Sequence, residues 1–195
     1  MIPMERTLTV NGKEYVLVRL LGHGKGGYSY LAERDGRQVV VKQIHHEPCS
    51  YYAFGDKMEA ELRDCARLRE ADIRMPALLD FDREAERLVK EYIPGETVLD
   101  LLRRGENVDV PREQAREMAA QARRCGLNID YFPTNFIPHG GLLWYVDYEC
   151  NEYMDEWSFE RWGVQYWSHT PALEEYLREH PAAGQNAAGN DRTQP

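Results

Sequence analysis

The sequence predicts an α+β protein with two lobes: a five-stranded antiparallel sheet with one helix, followed by a reduced, mainly helical lobe. Three observations support this expectation. Apolar, strand-like runs separated by turn residues fill most of 14–44 and 77–93. Between them, one longer segment has its apolar residues at helical spacing. After a Pro-Gly pair at 94–95, helical patterns predominate.

The Pro-Gly pair also sets the predicted domain organisation. We expect residues 1–93 to form the N-terminal lobe and 94–180 the C-terminal lobe of one domain. The chain has 195 residues with a hydrophobic content of 43%, enough for a sizeable core. Residues 181–195 have almost no large apolar side chains, which predicts a disordered tail.

Charge and cysteine usage narrow the class of protein. The formal net charge of −9 argues against nucleic acid or an anionic membrane as the main partner, because both attract basic surfaces. No apolar run is long enough to span a bilayer, and the N-terminal residues lack the apolar core of a signal peptide. The four cysteines show no CxxC pairing and are expected to be reduced thiols. A cytoplasmic protein is predicted.

The first three predicted strands, 14–21, 28–33 and 37–44, form a meander. The last two are joined by Asp35-Gly36, a strong signal for a two-residue hairpin turn.

The turn between the first two strands contains Gly22, Gly24 and Gly27 at GxGxxG spacing. Glycine lets backbone N–H groups approach a phosphate closely, because it has no Cβ. A dinucleotide-binding turn would be followed by a helix, whereas a strand follows here. The spacing therefore favours a glycine-rich hairpin covering phosphates, with a flexible β-turn as the alternative.

Lys42 ends an apolar strand and needs an anionic partner or a route to solvent. The predicted helix at 54–70 offers Glu59 and Glu61; the alternative is that Lys42 extends to water. His45, His46 and Cys49 follow the strand. They could suggest a metal, but without a suitably spaced fourth ligand a loop is the favoured interpretation.

A hairpin at 77–81 and 87–93 leads to the linker Glu91-Tyr-Ile-Pro-Gly95. An adenine could lie against this linker and bond to the backbone of Glu91 and Ile93, although an ordinary turn would use the same residues. Helices are then predicted at 97–103 and 111–125, the second ending before Gly126.

Residues 127–149 carry the strongest chemical signal. A polar turn with Asp130 and Asn135 leads into two short strands around a His-Gly-Gly turn, and the second strand delivers Asp147. This hairpin would bring Asp147 beside Asn135. Their oxygens suit Mg²⁺, which prefers oxygen ligands. Asp130 would remain free to accept a proton from a hydroxyl nucleophile. The pattern outlines a phosphoryl-transfer site.

The rest of the chain is aromatic and helical in pattern. Residues 151–167 are predicted to be mainly helical, with their aromatic side chains packing the second lobe, and 173–178 to form a last helix.

Taken in order, the motifs resemble those of the protein-kinase-like superfamily over residues 15–165. They are the following: the glycine-rich hairpin, Val-Val-Val-Lys42, a helix with Glu61, the linker at 91–95, Asp130-xxxx-Asn135, and Asp147. The resemblance implies a bilobal protein-kinase-like fold and an ATP- and Mg²⁺-dependent phosphotransferase, with a serine or threonine of a protein as the favoured acceptor.

The resemblance also implies roles for individual residues. Lys42, paired with Glu61 rather than Glu59, would hold the α- and β-phosphates of ATP under the glycine turn. Asp130 would be the catalytic base. Asn135 and Asp147 would bind Mg²⁺.

Departures from the family pattern affect the expected substrate class. Asn128 replaces the histidine that precedes the catalytic aspartate, and Phe132 replaces a lysine. Asp147-Tyr-Glu149 is similar to choline and aminoglycoside kinases, whereas the brevity of the chain and residues 134–137 are similar to lipopolysaccharide-type, RIO-type and KEOPS-associated kinases. The alternatives are therefore a small-molecule kinase, with Glu149, Glu152 or Asp155 in an acidic pocket, or a weakly active, nucleotide-binding pseudokinase.

Overall fold

The computed structural model of the protein describes residues 7–47 and 55–181. Its largest element is a six-stranded, curled antiparallel sheet with strand order β1-β2-β3-β4-β6-β5. The sheet strands are β1 (Thr7–Val10), β2 (Lys13–Gly24), β3 (Gly27–Arg34), β4 (Arg37–Ile44), β5 (Leu78–Asp82) and β6 (Arg87–Glu91).

Four α-helices, four short strands and three short 3-10 turns make up the other elements of the described residues. The helices are α1 (Lys57–Glu70), α2 (Val98–Arg103), α3 (Asp109–Arg124) and α4 (Pro171–Glu179). The strands are β7 (Leu127–Ile129), β8 (Phe136–His139), β9 (Leu142–Tyr145) and β10 (Cys150–Glu152). β7 pairs with β10 and β8 with β9, both antiparallel.

The predicted fold class is wrong. We expected the bilobal, protein-kinase-like layout of a five-stranded sheet with one helix and a mainly helical second lobe. The chain instead forms a mostly sheet α+β protein with six strands in the main sheet and four helices. The sixth strand, β1, exists because Asn11 and Gly12 adopt positive φ angles of 48° and 74° and turn the chain back onto β2. Two further strand pairs lie among the helices of the second half.

The aromatic-rich segment is also not the helix predicted at 151–167. It begins with β10 and continues through two short 3-10 turns, Asp155–Trp157 and Gly163–Tyr166. Phe159 and Trp167 are fully buried while Trp157 is half exposed. Gly163 packs so tightly that an added Cβ would lie 2.7 Å from Tyr131 Cβ. The aromatic side chains therefore reach the core from short turns rather than from a continuous helix.

Several local predictions are confirmed. Asp35 and Gly36 have φ angles of 52° and 72° and join β3 to β4 as a two-residue turn. Gly126 directly follows the C-cap of α3 with a φ of 70°. The helix predicted at 54–70 is present as α1, which ends at Glu70 as predicted but begins at Lys57, where the Asp56 side chain accepts a hydrogen bond from Glu59 N. Phe54 of the predicted helix, Cys49, and residues 182–195 of the predicted tail lie outside the described residues.

The largest hydrophobic core lies between the helices and short strands of the second half, and the end of α1 contributes to it. Leu68, Ala71 and Ile73 pack there with residues from α2, α3 and the aromatic-rich segment. Two smaller clusters lie against the sheet, one of them holding Met58 of α1 against Ile44 and Leu88. α1 therefore contacts both parts of the protein. Among the described helices, none has the length and apolar character needed to cross a membrane.

Candidate functional site

Lys42 lies near the end of β4, opposite Ser29 of β3 and Leu88 of β6, and only 7% of it is exposed. Its ammonium group contacts Glu61 Oε1 of α1. Glu59, the alternative partner considered from sequence, instead contacts the guanidinium of Arg83. Burial alone would lower the pKa of Lys42, but Glu61 and Asp147 outweigh it, so the pKa is raised and the lysine stays charged.

Asp147 follows β9 and lies beside this ion pair, with Oδ1 3.9 Å from Lys42 Nζ. Burial would raise the pKa of the Asp147 carboxyl, but the positive charges of Lys42 and Lys90 outweigh it. The pKa of Asp147 is therefore lowered, and the group is a carboxylate at neutral pH. Tyr148 N donates a hydrogen bond of 2.8 Å to Oδ1 and helps to fix its position.

Lys90 is a buried cation that sequence reasoning missed. It lies on β6, is 4% exposed and donates a hydrogen bond of 3.2 Å to Val146 O. Its ammonium lies 4.3 Å from the centre of the Tyr148 ring, a cation–π contact. Burial and the neighbouring Lys42 lower the pKa of Lys90. The site thus holds two lysines facing Glu61 and Asp147.

Asp130 lies on the loop after β7, within the electrostatic reach of Asp147. Its Oδ1 accepts a hydrogen bond of 3.1 Å from Phe132 N. Burial raises the pKa of the Asp130 carboxyl above its ordinary value of 3.8, and the charge of Asp147 adds to this effect. A carboxylate with a raised pKa is a better proton acceptor than an ordinary one.

The β8–β9 hairpin places Asn135 close to the segment that carries Asp147. Val146 N donates a hydrogen bond of 2.9 Å to Asn135 O. The side-chain amide of Asn135 donates to Asp130 O at 3.3 Å, which leaves the amide oxygen as the atom able to bind a cation. Asp130, Asn135 and Asp147 therefore belong to one site.

Tyr145 joins the two loops of this site, and no motif pointed to it. Its hydroxyl accepts a hydrogen bond of 3.3 Å from Asp130 N and donates one of 2.7 Å to Glu149 O. The ring is fully buried. Its position on β9, two residues before Asp147, is the signal that could have identified it.

The glycine turn, residues 22–27, covers the Lys42–Glu61 pair, but its glycines have different roles. A Cβ added to Gly22 or Gly24 would meet nothing within 4 Å. At Gly27 it would lie 2.3 Å from Gln43 O, so Gly27 allows the start of β3 to lie close to the end of β4. At Gly26, outside the predicted motif, it would lie 3.1 Å from Lys42 Nζ. Phosphates held by Lys42 would therefore have to displace the tip of the turn.

The two predicted adenine-binding residues lie at the end of β6. Glu91 N donates to Ala77 O at 2.9 Å, and Glu91 Oε2 accepts from Ala77 N at 3.1 Å, which ties Glu91 to the start of β5. Ile93 is buried just beyond the strand. Their proposed contacts with a base remain a prediction.

Of the three acidic residues considered for a substrate pocket, Glu149 belongs to the site. Burial raises the pKa of its carboxyl, with Asp147 and Asp130 adding to the effect and Lys25 opposing it. Glu152 instead contacts Arg67, and Asp155 lies 2.7 Å from Arg161. A cavity of about 430 Å³ lies elsewhere, behind Tyr131 and Phe159, and includes none of the predicted site residues.

Two residues that depart from the kinase pattern have structural contacts. Asn128 is buried on β7 and donates a hydrogen bond of 2.8 Å to Met154 O. The Phe132 ring packs edge-on against Tyr166 and Tyr176, with centroid distances of 5.0 and 4.7 Å.

Comparison with known proteins adds no family: the sequence matches no protein-family model, and no curated protein shows significant similarity to it.

Proposed function

We propose that this protein is an ATP- and Mg²⁺-dependent phosphotransferase that passes the γ-phosphoryl group of ATP to a hydroxyl acceptor. The observation that carries the proposal is the cluster of Lys42, Glu61 and Asp147, with Asp147 Oδ1 3.9 Å from Lys42 Nζ. Asp130 and Asn135 lie in the same cluster. A buried, charged lysine oriented by a glutamate, next to carboxylate and amide oxygens, suits the binding of phosphates with a metal ion.

The residues present fit a Mg²⁺ ion. Asp147 supplies a carboxylate and Asn135 an amide oxygen, and Mg²⁺ is held by one or two such oxygens together with phosphates and water. When bound, the ion would neutralise charge on the phosphates.

The other roles follow from each residue's surroundings. Lys42, fixed by Glu61, would hold the α- and β-phosphates below the glycine turn. Asp130 would accept the proton of the acceptor hydroxyl, a role that its raised pKa supports. The backbone of Glu91 and Ile93 would bind the adenine. The favoured acceptor is a serine or threonine of a protein, in the cytoplasm, where free thiols such as Cys65, Cys125 and Cys150 persist.

Two further candidates each have one supporting observation. Glu149 shares the site with Asp130 and Asp147, which favours an acidic pocket for a small amino alcohol. Gly26 lies against the Lys42–Glu61 pair and Phe132 is held in an aromatic cluster, which favours a nucleotide-binding protein with weak turnover.

The test is Mg²⁺-dependent ATP binding by calorimetry and ADP release, measured on the wild type, Asp147→Asn and Asp155→Asn. We expect Asp147→Asn to lose at least about a hundredfold in turnover, the effect typical of one group that stabilises the reacting charge. Asp155→Asn changes an exposed aspartate that follows residues 127–149 in the sequence, and it should leave activity unchanged. Undiminished turnover in a folded Asp147→Asn protein would overturn the proposal. ATP binding without turnover would favour the weakly active candidate.

A further inference from the structure

Three potential metal ligands meet at the edge of the glycine turn. His23 lies near the end of β2, and His45 and Glu47 follow the end of β4. His23 Nε2 lies 3.2 Å from His45 Nε2 and 3.5 Å from Glu47 Oε2. The ligand atoms of all three side chains lie within 4.8 Å of one another.

Two of these distances, 3.2 Å between the two imidazole nitrogens and 3.5 Å from His23 to Glu47, are close to those between ligands of a tetrahedral metal ion. Ligand atoms about 2.0–2.1 Å from a zinc ion lie about 3.3–3.4 Å from each other in that geometry. Two imidazole nitrogens with one carboxylate oxygen form a set that Zn²⁺ binds, with the fourth position left for water or another ligand. We propose that His23, His45 and Glu47 form a binding site for Zn²⁺ or a similar divalent transition metal.

The side chain of Glu47 is oriented by Tyr28. The hydroxyl of Tyr28 donates a hydrogen bond of 2.5 Å to Glu47 Oε1. Oε2 is the oxygen that faces His23. The Tyr28 ring also stacks on His23, with centroids 4.2 Å apart and planes within 2° of parallel. Tyr28 thus orients two of the three ligands.

Metal binding would change the tautomer of His45. In the structure its Nδ1 accepts a hydrogen bond of 3.2 Å from Glu47 N, so Nε2 carries the proton and donates to Gly24 O at 2.9 Å. A metal at Nε2 would move this proton to Nδ1 and break both bonds. The ligand bonds would replace them and join β2 to the segment after β4. If the proposed function holds, the metal would therefore restrain the turn that covers the nucleotide.

The sequence analysis favoured a loop rather than a metal site for His45, His46 and Cys49. His45 belongs to the cluster, whereas His46 Nε2 lies 2.6 Å from Glu86 Oε2 and is not one of the three ligands. Cys49 lies outside the described residues. His23 was missed because it lies 22 residues before His45 and becomes its neighbour only when β2, β3 and β4 pair.

The experiment is titration of the full chain with Co²⁺, followed by competition of Zn²⁺ against a chromophoric chelator, both without nucleotide. We expect one Co²⁺ per chain, with the intense visible absorption of tetrahedral cobalt and without a thiolate charge-transfer band. His23→Phe keeps the stacking on Tyr28, and Glu47→Gln keeps an acceptor for its hydroxyl. Both variants should bind at least about tenfold more weakly, because even indirect changes near a metal cost tenfold or more.

His46→Ala is the matched control, since it removes an exposed histidine of the same segment without touching the cluster. Its metal affinity should equal that of the wild type, and thermal melts should show all three variants folded. Three results would each overturn the proposal: no binding of either metal, a thiolate charge-transfer band, or equal affinity in His23→Phe and the wild type. Because the assay contains no nucleotide, failure of the proposed kinase activity would not affect its outcome.

Discussion

Glu59 and Glu61 lie two residues apart on α1 and face different surroundings. Glu61 contacts the buried Lys42, whereas Glu59 contacts Arg83 at a site where both side chains are about half exposed, at 54% and 55%. A pair in solvent contributes little to stability, whereas removing one partner of a buried pair leaves an uncompensated charge. The two glutamates therefore form a matched pair for mutation.

We predict that Glu61→Gln lowers kcat/KM for ATP-dependent turnover by about a hundredfold, because Lys42 loses the charge that orients it. It should also lower the melting temperature, since Lys42 remains buried without its closest anion. Steady-state kinetics and thermal melts measure the two effects. Glu59→Gln should change neither by more than a surface substitution does. Equal effects of the two substitutions would contradict the role given to Glu61.

Asp130 allows a prediction about pH. Its folded-state pKa is raised above 3.8 by burial, so the folded protein binds a proton more readily than the unfolded chain does. At pH values above this raised pKa, the Asp130 carboxylate therefore lowers the free energy of unfolding. This destabilisation disappears as the pH falls below 3.8. Asp130→Asn should be at least as stable as the wild type at neutral pH, with the difference closing on acidification, while turnover falls about 10²–10⁴-fold.

Denaturant unfolding at several pH values checks the first part of this prediction and kinetics the second. Asp80→Asn serves as the contrasting variant. The pKa of Asp80 is lowered, chiefly by the hydrogen bond from Lys13, so its carboxylate stabilises the fold at neutral pH and this contribution is lost as the pH falls. The two variants should therefore differ from the wild type in opposite directions. A destabilised Asp130→Asn at neutral pH would contradict the argument.

At the scale of single residues, sequence analysis could single out candidate site residues that stand in a local motif. It could not single out residues whose burial depends on neighbours distant in sequence. Asp130, Asn135 and Asp147 could be grouped from sequence because a short hairpin brings together residues close in sequence, and their roles remain a prediction. Lys90 was missed because a lysine in an amphipathic strand is usually exposed. Its burial depends on Tyr148 and Val146, more than fifty residues away.

Among the elements, β3 and β4 approach each other closely at one glycine, Gly27, at the end of their pairing. We predict that Gly27→Ala destabilises the protein by about 1–3 kcal/mol, as overpacking does, because the new Cβ would lie 2.3 Å from Gln43 O. Gly22→Ala is the control, since its Cβ would meet nothing within 4 Å. Chemical denaturation of both variants measures the difference. Equal stability of the two variants would contradict this prediction, because the strands could then move apart at Gly27 without a loss of stability.

Element boundaries were predictable where turn chemistry marks them and wrong where packing decides. Asp35-Gly36 and Gly126 ended their elements as expected, because few residues other than glycine and asparagine or aspartate adopt a positive φ without strain. The aromatic-rich segment has no such marker. Its helical spacing reflects side chains such as Phe159 and Trp167, which reach the core from short turns rather than from one face of a helix.

For the whole molecule, the predicted fold was wrong partly because three short strands, β1, β7 and β10, were not predicted. β1 has four residues and β7 and β10 have three each, too few for a period of two to be recognised. β7 and β10 pair across the whole β8–β9 hairpin, and such pairing is not visible in local sequence. β1 is joined to β2 by the Asn11-Gly12 turn, a local hairpin signal that the prediction did not use. The six-stranded sheet and the β7–β10 pair were therefore not predicted, whereas the β8–β9 hairpin was predicted from its His-Gly-Gly turn.

The position of α1 has a consequence for control of the site. The helix holds Glu61 against Lys42, while its far end inserts Leu68 and Ala71 into the large core and Gln121 donates to Ala71 O at 3.0 Å. Swinging the helix away from the sheet would expose a fully buried leucine and break this bond. A conformational change that moved α1 away from Lys42 would therefore also disturb the large core. The glycine turn lies beside the same ion pair at Gly26, and α1 makes no part of that turn.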